Sequence, residues 1–266
     1  MNTPSISEWQ SLNTIEIDAL VEKDPVVVLP LAAVEQHGPH LPLSTDLDIG
    51  MGILRVALEA LPDGFPASAL PPQSVGTSPE HLSFAGTLSL DRETMVSTIC
   101  DVGRSLASAG IHRLVLSNSH GGNDSAMAAA GLRLREEEGL LVVKASYFDF
   151  KPPLGLRIPD DEWGLGLHAG AVETSMMLHL CPERVREDRL VRARSLGEDL
   201  EATGSRIGPT GPASFAWLAE DLNASGAVGD ATLANREDGK LLVEHFGGIL
   251  AEVIRDTRDF PLERIV

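Results

Sequence analysis

Six consecutive residues, Val26-Val27-Val28-Leu29-Pro30-Leu31, carry no charge and no hydrogen-bonding side chain. A run this short and this rich in β-branched residues reads as a strand buried on both faces. Such a strand needs helices above and below it, which is the setting of a parallel sheet. The rest of the chain continues the alternation. Residues 70–75, 112–118 and 140–147 read as further strands. Residues 47–60, 91–110, 124–138, 171–180 and 238–256 read as helices, after a short amphipathic one at 7–20. Asp91 is placed to cap its helix and Gly110 to end it. Residues 158–167 read as irregular, and 183–235, with many Gly and Pro, are the least legible. With no internal repeat and no low-complexity linker, residues 1–266 are expected to form a single doubly wound α/β domain with a mainly parallel sheet.

Composition narrows the function classes. The 21 basic and 39 acidic residues give a net charge of −18, which repels phosphate backbones and anionic surfaces, so neither nucleic acid nor membrane is an expected partner. No apolar stretch approaches the ~20 residues of a membrane span, and residues 1–9 lack the basic and apolar regions of a signal peptide. Cys100 and Cys181 form no CxxC pair and read as small buried thiols, in keeping with a reducing compartment. A cytoplasmic protein is expected.

Three loops can carry chemistry. In the first, Glu35-Gln36-His37-Gly38-Pro39-His40, Glu35 and His37 are two apart and point the same way if the chain is extended. Asp46 ends this loop and can fold back on them. One imidazole and two carboxylates suit zinc, manganese or iron(II). An isolated Glu-x-His is more often an ordinary polar loop, but this one follows a buried strand. The second loop is Asn118-Ser119-His120-Gly121-Gly122-Asn123, whose paired glycines permit a sharp strand-to-helix turn. Asn123 could cap the next helix or orient a ligand from behind. The third, His168-Ala169-Gly170-Ala171-Val172-Glu173, offers an imidazole and an acid that could equally do no more than complement a helix dipole.

Taken together, Glu35-x-His37-Gly38…Asp46, Asn118-x-His120-Gly121-Gly122-Asn123 and His168-Ala169-Gly170-x-x-Glu173-Thr174-Ser175 resemble the signatures of the creatininase (creatinine amidohydrolase) family. Supporting matches are Glu80-His81…Phe84-x-Gly86-Thr87 and Gly229-Asp230-Ala231. The resemblance implies a three-layer α/β/α sandwich, a homo-oligomer (a hexamer or another even-numbered assembly) and two divalent ions, zinc in the first place, with manganese or iron as alternatives. It makes Glu35, His37, Asp46 and His120 metal ligands, with Asp46 bridging, and His168 the active-site histidine. Glu173 matches the family's third-motif acid. One position departs: creatinine-hydrolysing members carry a metal-binding glutamate where this chain has Gly122. The fifth ligand must then come from elsewhere, and Glu173 is the candidate. The Gly-Gly form resembles the branch containing formamide deformylases and a peptide-processing member.

The expected reaction is attack of metal-activated water on a C–N bond of a small cyclic amide or formamide, with His168 and Glu173 as catalytic groups. Ser78, His81, Trp163 and Gly121 are expected to contact the substrate. His40 reads as a supporting or solvent-facing group, and His112, His179 and His245 as structural. At 4% aromatic residues no strong stacking platform is expected. Two alternatives stay open: a metal-dependent hydrolase of a lactone or other non-amide molecule, and a catalytically silent member of the family.

Overall fold

The Val26–Leu31 run is strand β1, and every one of its residues is buried. Its alternate side chains enter two different cores. Val26 and Val28 face one apolar cluster, while Val27, Leu29 and Leu31 face the other. The computed structural model describes residues 8–265. The expected start of the first helix at Ser7, and the leader reading of residues 1–7, lie outside the described residues. The elements are α1 (Thr14–Val21), β1, α2 (Thr45–Glu59), β2 (Ala67–Ala69), α3 (Arg92–Ser108), β3 (Arg113–Asn118), α4 (Asp124–Glu138), β4 (Leu141–Ser146), α5 (Asp160–Leu165), α6 (Ala171–Leu180), β5 (Arg192–Ala193), α7 (Leu196–Ala202), α8 (Ala219–Leu222), β6 (Gly229–Asp230) and α9 (Arg236–Asp259).

The main sheet has the order β2-β1-β3-β4 and is parallel throughout. One face is covered by α2, α6 and α9, through residues such as Ile53, Met176 and Phe246. The other face is covered by α3 and α4, through Met95, Ile99, Met127 and Leu134. This is the three-layer α/β/α sandwich that the sequence led us to expect. The chain leaves β1 toward β2 on one side and then returns to β3 and β4 on the other. Right-handed crossovers therefore put α2 on the opposite face from α3 and α4. The same reversal opens a crevice between the ends of β1 and β3, the usual place for a ligand in such a sheet.

Two local expectations need correction. The second strand lies at Ala67–Ala69, not at 70–75. Pro71 and Pro72 break the ladder there, and beyond them only Gln73 bridges to Leu31. Residues 158–167 are not wholly irregular, because Asp160–Leu165 forms α5. Three acidic residues open that helix and complement its dipole, a signal masked by its short apolar pattern. Asp91 caps α3 as expected, accepting from the Thr94 N–H. In the least legible region, β5 and β6 form a separate antiparallel pair.

Candidate metal centre

Loops from the carboxyl edge of the sheet bring the first two motifs together. Glu35 and His37, in the loop after β1, are both 1% exposed, and Asp46 in the first turn of α2 is 2% exposed. Asp46 Oδ1 lies 3.2 Å from His37 Nε2, and its Oδ2 lies 3.4 Å from His120 Nδ1. The other nitrogen of each ring is engaged. His37 Nδ1 donates to the Glu35 carbonyl at 3.1 Å, and His120 Nε2 donates to the Thr77 carbonyl at 2.9 Å. A carbonyl can only accept, so in the neutral rings the free lone pairs are those aimed at Asp46. Glu35 Oε1 also lies 3.3 Å from His120 Nδ1.

Glu173, in the first turn of α6, accepts from the Ala169 N–H at 2.6 Å. Its carboxylate joins His37 and Asp46 in a group whose donor atoms all lie within 4.8 Å of one another. Glu35, Glu80 and His120 form a second such group, and Glu35, His37 and His168 a third. These donors fit divalent ions. Two ligand atoms at zinc-type bond lengths and a tetrahedral angle stand roughly 3.4 Å apart, close to the separations around Asp46. Glu35 Oε2 and Asp46 Oδ2 are buried and have no hydrogen-bond partner among the described residues. A buried carboxylate oxygen is costly when left so, and a cation is the partner that both atoms lack.

Charge follows the same pattern. Burial opposes the imidazolium at His37 and His120, yet the neighbouring carboxylates, Asp46 and Glu35 respectively, raise each to about 10. Burial also works to raise Glu35, but the surrounding imidazoles, His120 first, hold it well below the usual carboxylate range. Burial lifts Glu173 to about 7 against the pull of His37. His168 behaves oppositely. Burial, with His37 and His81 beside it, pushes its pKa well below the ordinary value. It stacks on His81 at 4.3 Å, its Nε2 donates to the Gln36 carbonyl at 2.6 Å, and its Nδ1 faces Glu35 at 3.8 Å.

The remaining expected site residues divide. His81, Gly121 and Trp163 line a cavity of about 560 Å³ that opens onto Glu35, Asp46, His120, His168 and Glu173. Ser78 does not line it; the residue is fully buried, with its Oγ 3.3 Å from His120 Nε2. It therefore backs the imidazole. His40 is fully buried rather than solvent-facing, and pairs with Thr174 Oγ1 at 3.0 Å. Asn123 makes no cap with its side chain. Its amide reaches Asn118 Oδ1, which accepts from the His120 N–H, so it orients the ligand loop from behind.

Aromatic residues are few but concentrated. Tyr147, Phe148, Trp163 and Trp217 all line the cavity, and this corrects the expectation of no stacking platform. The 147–148 and 217 positions could not be placed from spacing, because they reach the site from loops far apart in sequence. Glu162 was also missed. It is 8% exposed and accepts from the Ala171 and Asp230 N–H groups, both at 2.9 Å. Gly229, at φ +130°, gives it room, since a Cβ there would lie 2.6 Å from Glu162 Oε1. The Gly229-Asp230 motif was thus visible in the sequence without its partner.

The parallel α/β sandwich gathers carboxylates and imidazoles at its strand reversal, in groups that could hold divalent cations. The family model for creatininase, described as creatinine amidohydrolase, matches residues 10–254, and the chain belongs to that family. It is 34% identical over 218 residues to the mycofactocin precursor peptide peptidase of Mycolicibacterium smegmatis, covering 81% of this chain and 78% of that one. It is 32% identical over 255 residues to the creatinine amidohydrolase of Pseudomonas putida, covering 90% and 91%. The solved structure described as "Creatininase Mn" superimposes with a TM-score of 0.74 at 29% identity, over 95% of this chain and 98% of that one.

Proposed function

We propose that the chain hydrolyses an amide C–N bond with two divalent ions held by Glu35, His37, Asp46, His120 and Glu173. The observation that carries this reading is the division of Asp46, one carboxylate oxygen facing each of two histidines whose other nitrogens are fixed by backbone carbonyls. Ions bound there supply acidified water and polarise the scissile carbonyl. His168 enters the reaction as a neutral base. Its Nε2–H is committed to Gln36, which leaves Nδ1 to take a proton at the carboxylate edge of the site and return it to the leaving nitrogen. Glu173, which burial lifts to about 7 in the metal-free chain, would give up its proton on ligation and face the reaction as a carboxylate at the opposite edge.

The substrate in this proposal is a formamide or cyclic amide carried on a flat, uncharged or cationic body. The cavity offers Trp163, Trp217, Phe148 and Tyr147 as apolar faces, and among the described residues no lysine or arginine lines it. A peptide bond is the second reading. It is favoured by a cavity of drug-sized volume and by the peptidase name of the M. smegmatis relative. Zinc is the metal proposed first. We further propose one domain over the whole chain, an even-numbered homo-oligomer and a cytoplasmic location. Among the described residues no helix is long and apolar enough to cross a membrane.

Elemental analysis and a substrate panel test the proposal. Two divalent ions per chain and EDTA-sensitive turnover of a formamide or lactam are expected, with lactones inert and short peptides deciding the second reading. Less than one ion per chain, together with turnover unaffected by EDTA, would refute it.

A further inference from the structure

Gln36 is buried in the loop after β1, and two backbone groups settle the sense of its amide. Its Oε1 accepts from the Gly38 N–H at 2.9 Å, and its Nε2 donates to the Gly226 carbonyl at 2.9 Å. An N–H cannot accept and a carbonyl cannot donate, so the amide has one possible orientation. Glycine at 226 makes room for it. With φ at +77°, a Cβ there would lie 2.4 Å from Gln36 Oε1. The second Nε2 hydrogen of Gln36 is then directed at His81 Nδ1, 2.8 Å away. His81 Nδ1 must accept, which leaves the hydrogen of the neutral ring on Nε2. That edge faces Glu35 Oε1 at 3.5 Å, beyond the ~2.7–3.2 Å of ordinary N–H···O bonds. His81 and Glu35 both line the cavity. Three other cavity rings give their N–H to backbone carbonyls: His120 to Thr77, Trp217 to Pro209, and His168 to Gln36 itself.

Gln36 therefore holds both stacked rings, His168 through its carbonyl and His81 through its amide. The two rings share one tautomer but are turned end for end. Toward Glu35 Oε1, His81 presents a hydrogen at 3.5 Å and His168 a lone pair at 3.8 Å. We infer that Gln36 fixes this donor-and-acceptor pair, and that His81 gives its Nε2–H to the carbonyl oxygen of the substrate amide while His168 takes the proton. The inference rests on the amide reading above and adds to it a donor aimed at charge that develops on oxygen. His81 is a catalytic residue in this arrangement and Gln36 a positioning residue. The same lock denies His81 Nε2 a lone pair, so this edge meets the substrate and not an ion.

Long-range proton–nitrogen correlation spectra of the full chain, isotope-labelled at histidine and metal-free at neutral pH, test the lock. Signals are assigned by their loss in His81→Phe and His168→Asn. In the native chain both rings should carry hydrogen on Nε2 and none on Nδ1. Gln36→Glu replaces the donor by an acceptor and should bring a hydrogen to His81 Nδ1, leaving His168, held by the backbone carbonyl, unchanged. A protonated His81 Nδ1 in the native chain, which needs no variant to observe, would overturn the lock, as would a His81 signal indifferent to Gln36→Glu. Turnover of the metal-loaded protein tests the donor. Loss of one oxyanion donor costs about 10²–10³-fold in kcat, so His81→Phe should fall by that much with metal content unchanged. Native kcat in His81→Phe would overturn the role of His81 and leave the amide reading intact. A native chain that turns over no amide would overturn that reading, and with it the carbonyl as the partner of His81.

Discussion

The His120 imidazole and the Thr77 carbonyl are joined by a 2.9 Å hydrogen bond from Nε2, which turns Nδ1 toward Asp46 and Glu35. The β2 turn thus fixes the tautomer of a ring that the β3 loop carries. His120→Ala should leave one ion per chain, whereas Asp46→Asn, which touches both positions, should weaken both. Elemental analysis of dialysed protein checks this, with circular dichroism to show that the variants stay folded.

Metal uptake should release protons. In the metal-free chain the carboxylates beside His37 and His120 raise both to about 10, so both rings are charged at neutral pH, and ligation needs them neutral. The sign follows: affinity rises with pH below about 10, by roughly tenfold per pH unit for each ion, since each position takes one imidazole. Calorimetry at pH 7 in buffers of different ionisation enthalpy should count between two and three protons released per chain at saturation, one from each ring and a fraction from Glu173. A count near zero at pH 7 would contradict the charge state argued here.

His168 should matter for turnover and not for metal content. Because Nε2 is held by the Gln36 carbonyl, His168→Asn removes the proton acceptor and preserves much of the volume. General acid–base catalysis contributes about 10²–10⁴-fold, and kcat should fall within that range. KM and the number of ions bound should stay near their native values. Loss of an ion would instead make His168 a ligand.

Glu162 should act on stability. Its carboxylate satisfies the N–H groups of Ala171 and Asp230 in a site 8% exposed. Removing it strands both, at about 1–3 kcal/mol for each unsatisfied group. Glu162→Ala should lower Tm by roughly 4–20 °C for a chain of this size. Glu162→Gln, which keeps one acceptor oxygen, should lose less. Thermal denaturation of the metal-free protein separates this effect from metal binding.

The sandwich was legible because its elements announce themselves locally. Val26–Leu31 is apolar throughout, Asp91 is a capping residue ahead of a helical period, and the parallel order follows from their alternation. Glu35, His37, Asp46 and His120 could be singled out because two of the loops carrying them directly follow buried strands. What stayed hidden were relationships between loops. Nothing in the spacing ties Glu80 to Gly122 or Glu162 to Gly229, or brings Trp163 and Trp217 to one cavity, since only the fold brings these distant turns together. Ser78 shows the same limit: it stands two residues before the cavity-lining Glu80, while its hydroxyl faces His120 Nε2.

The sharing of Asp46 between early and late donors has a mechanical meaning. His37 and Asp46 come from the first loop of the sheet, and Glu173 comes from a helix reached only after the whole β3–β4 unit has been laid down. An ion held by all three is a removable cross-link, and it closes a chain loop of well over a hundred residues. Metal loss should therefore slacken the span that joins β4 to α6, the same span that brings Phe148, Trp163 and His168 to the cavity. An ion so held would fasten the cavity wall as well as serve the proposed reaction, and limited proteolysis of the stripped protein should cut first within residues 150–167.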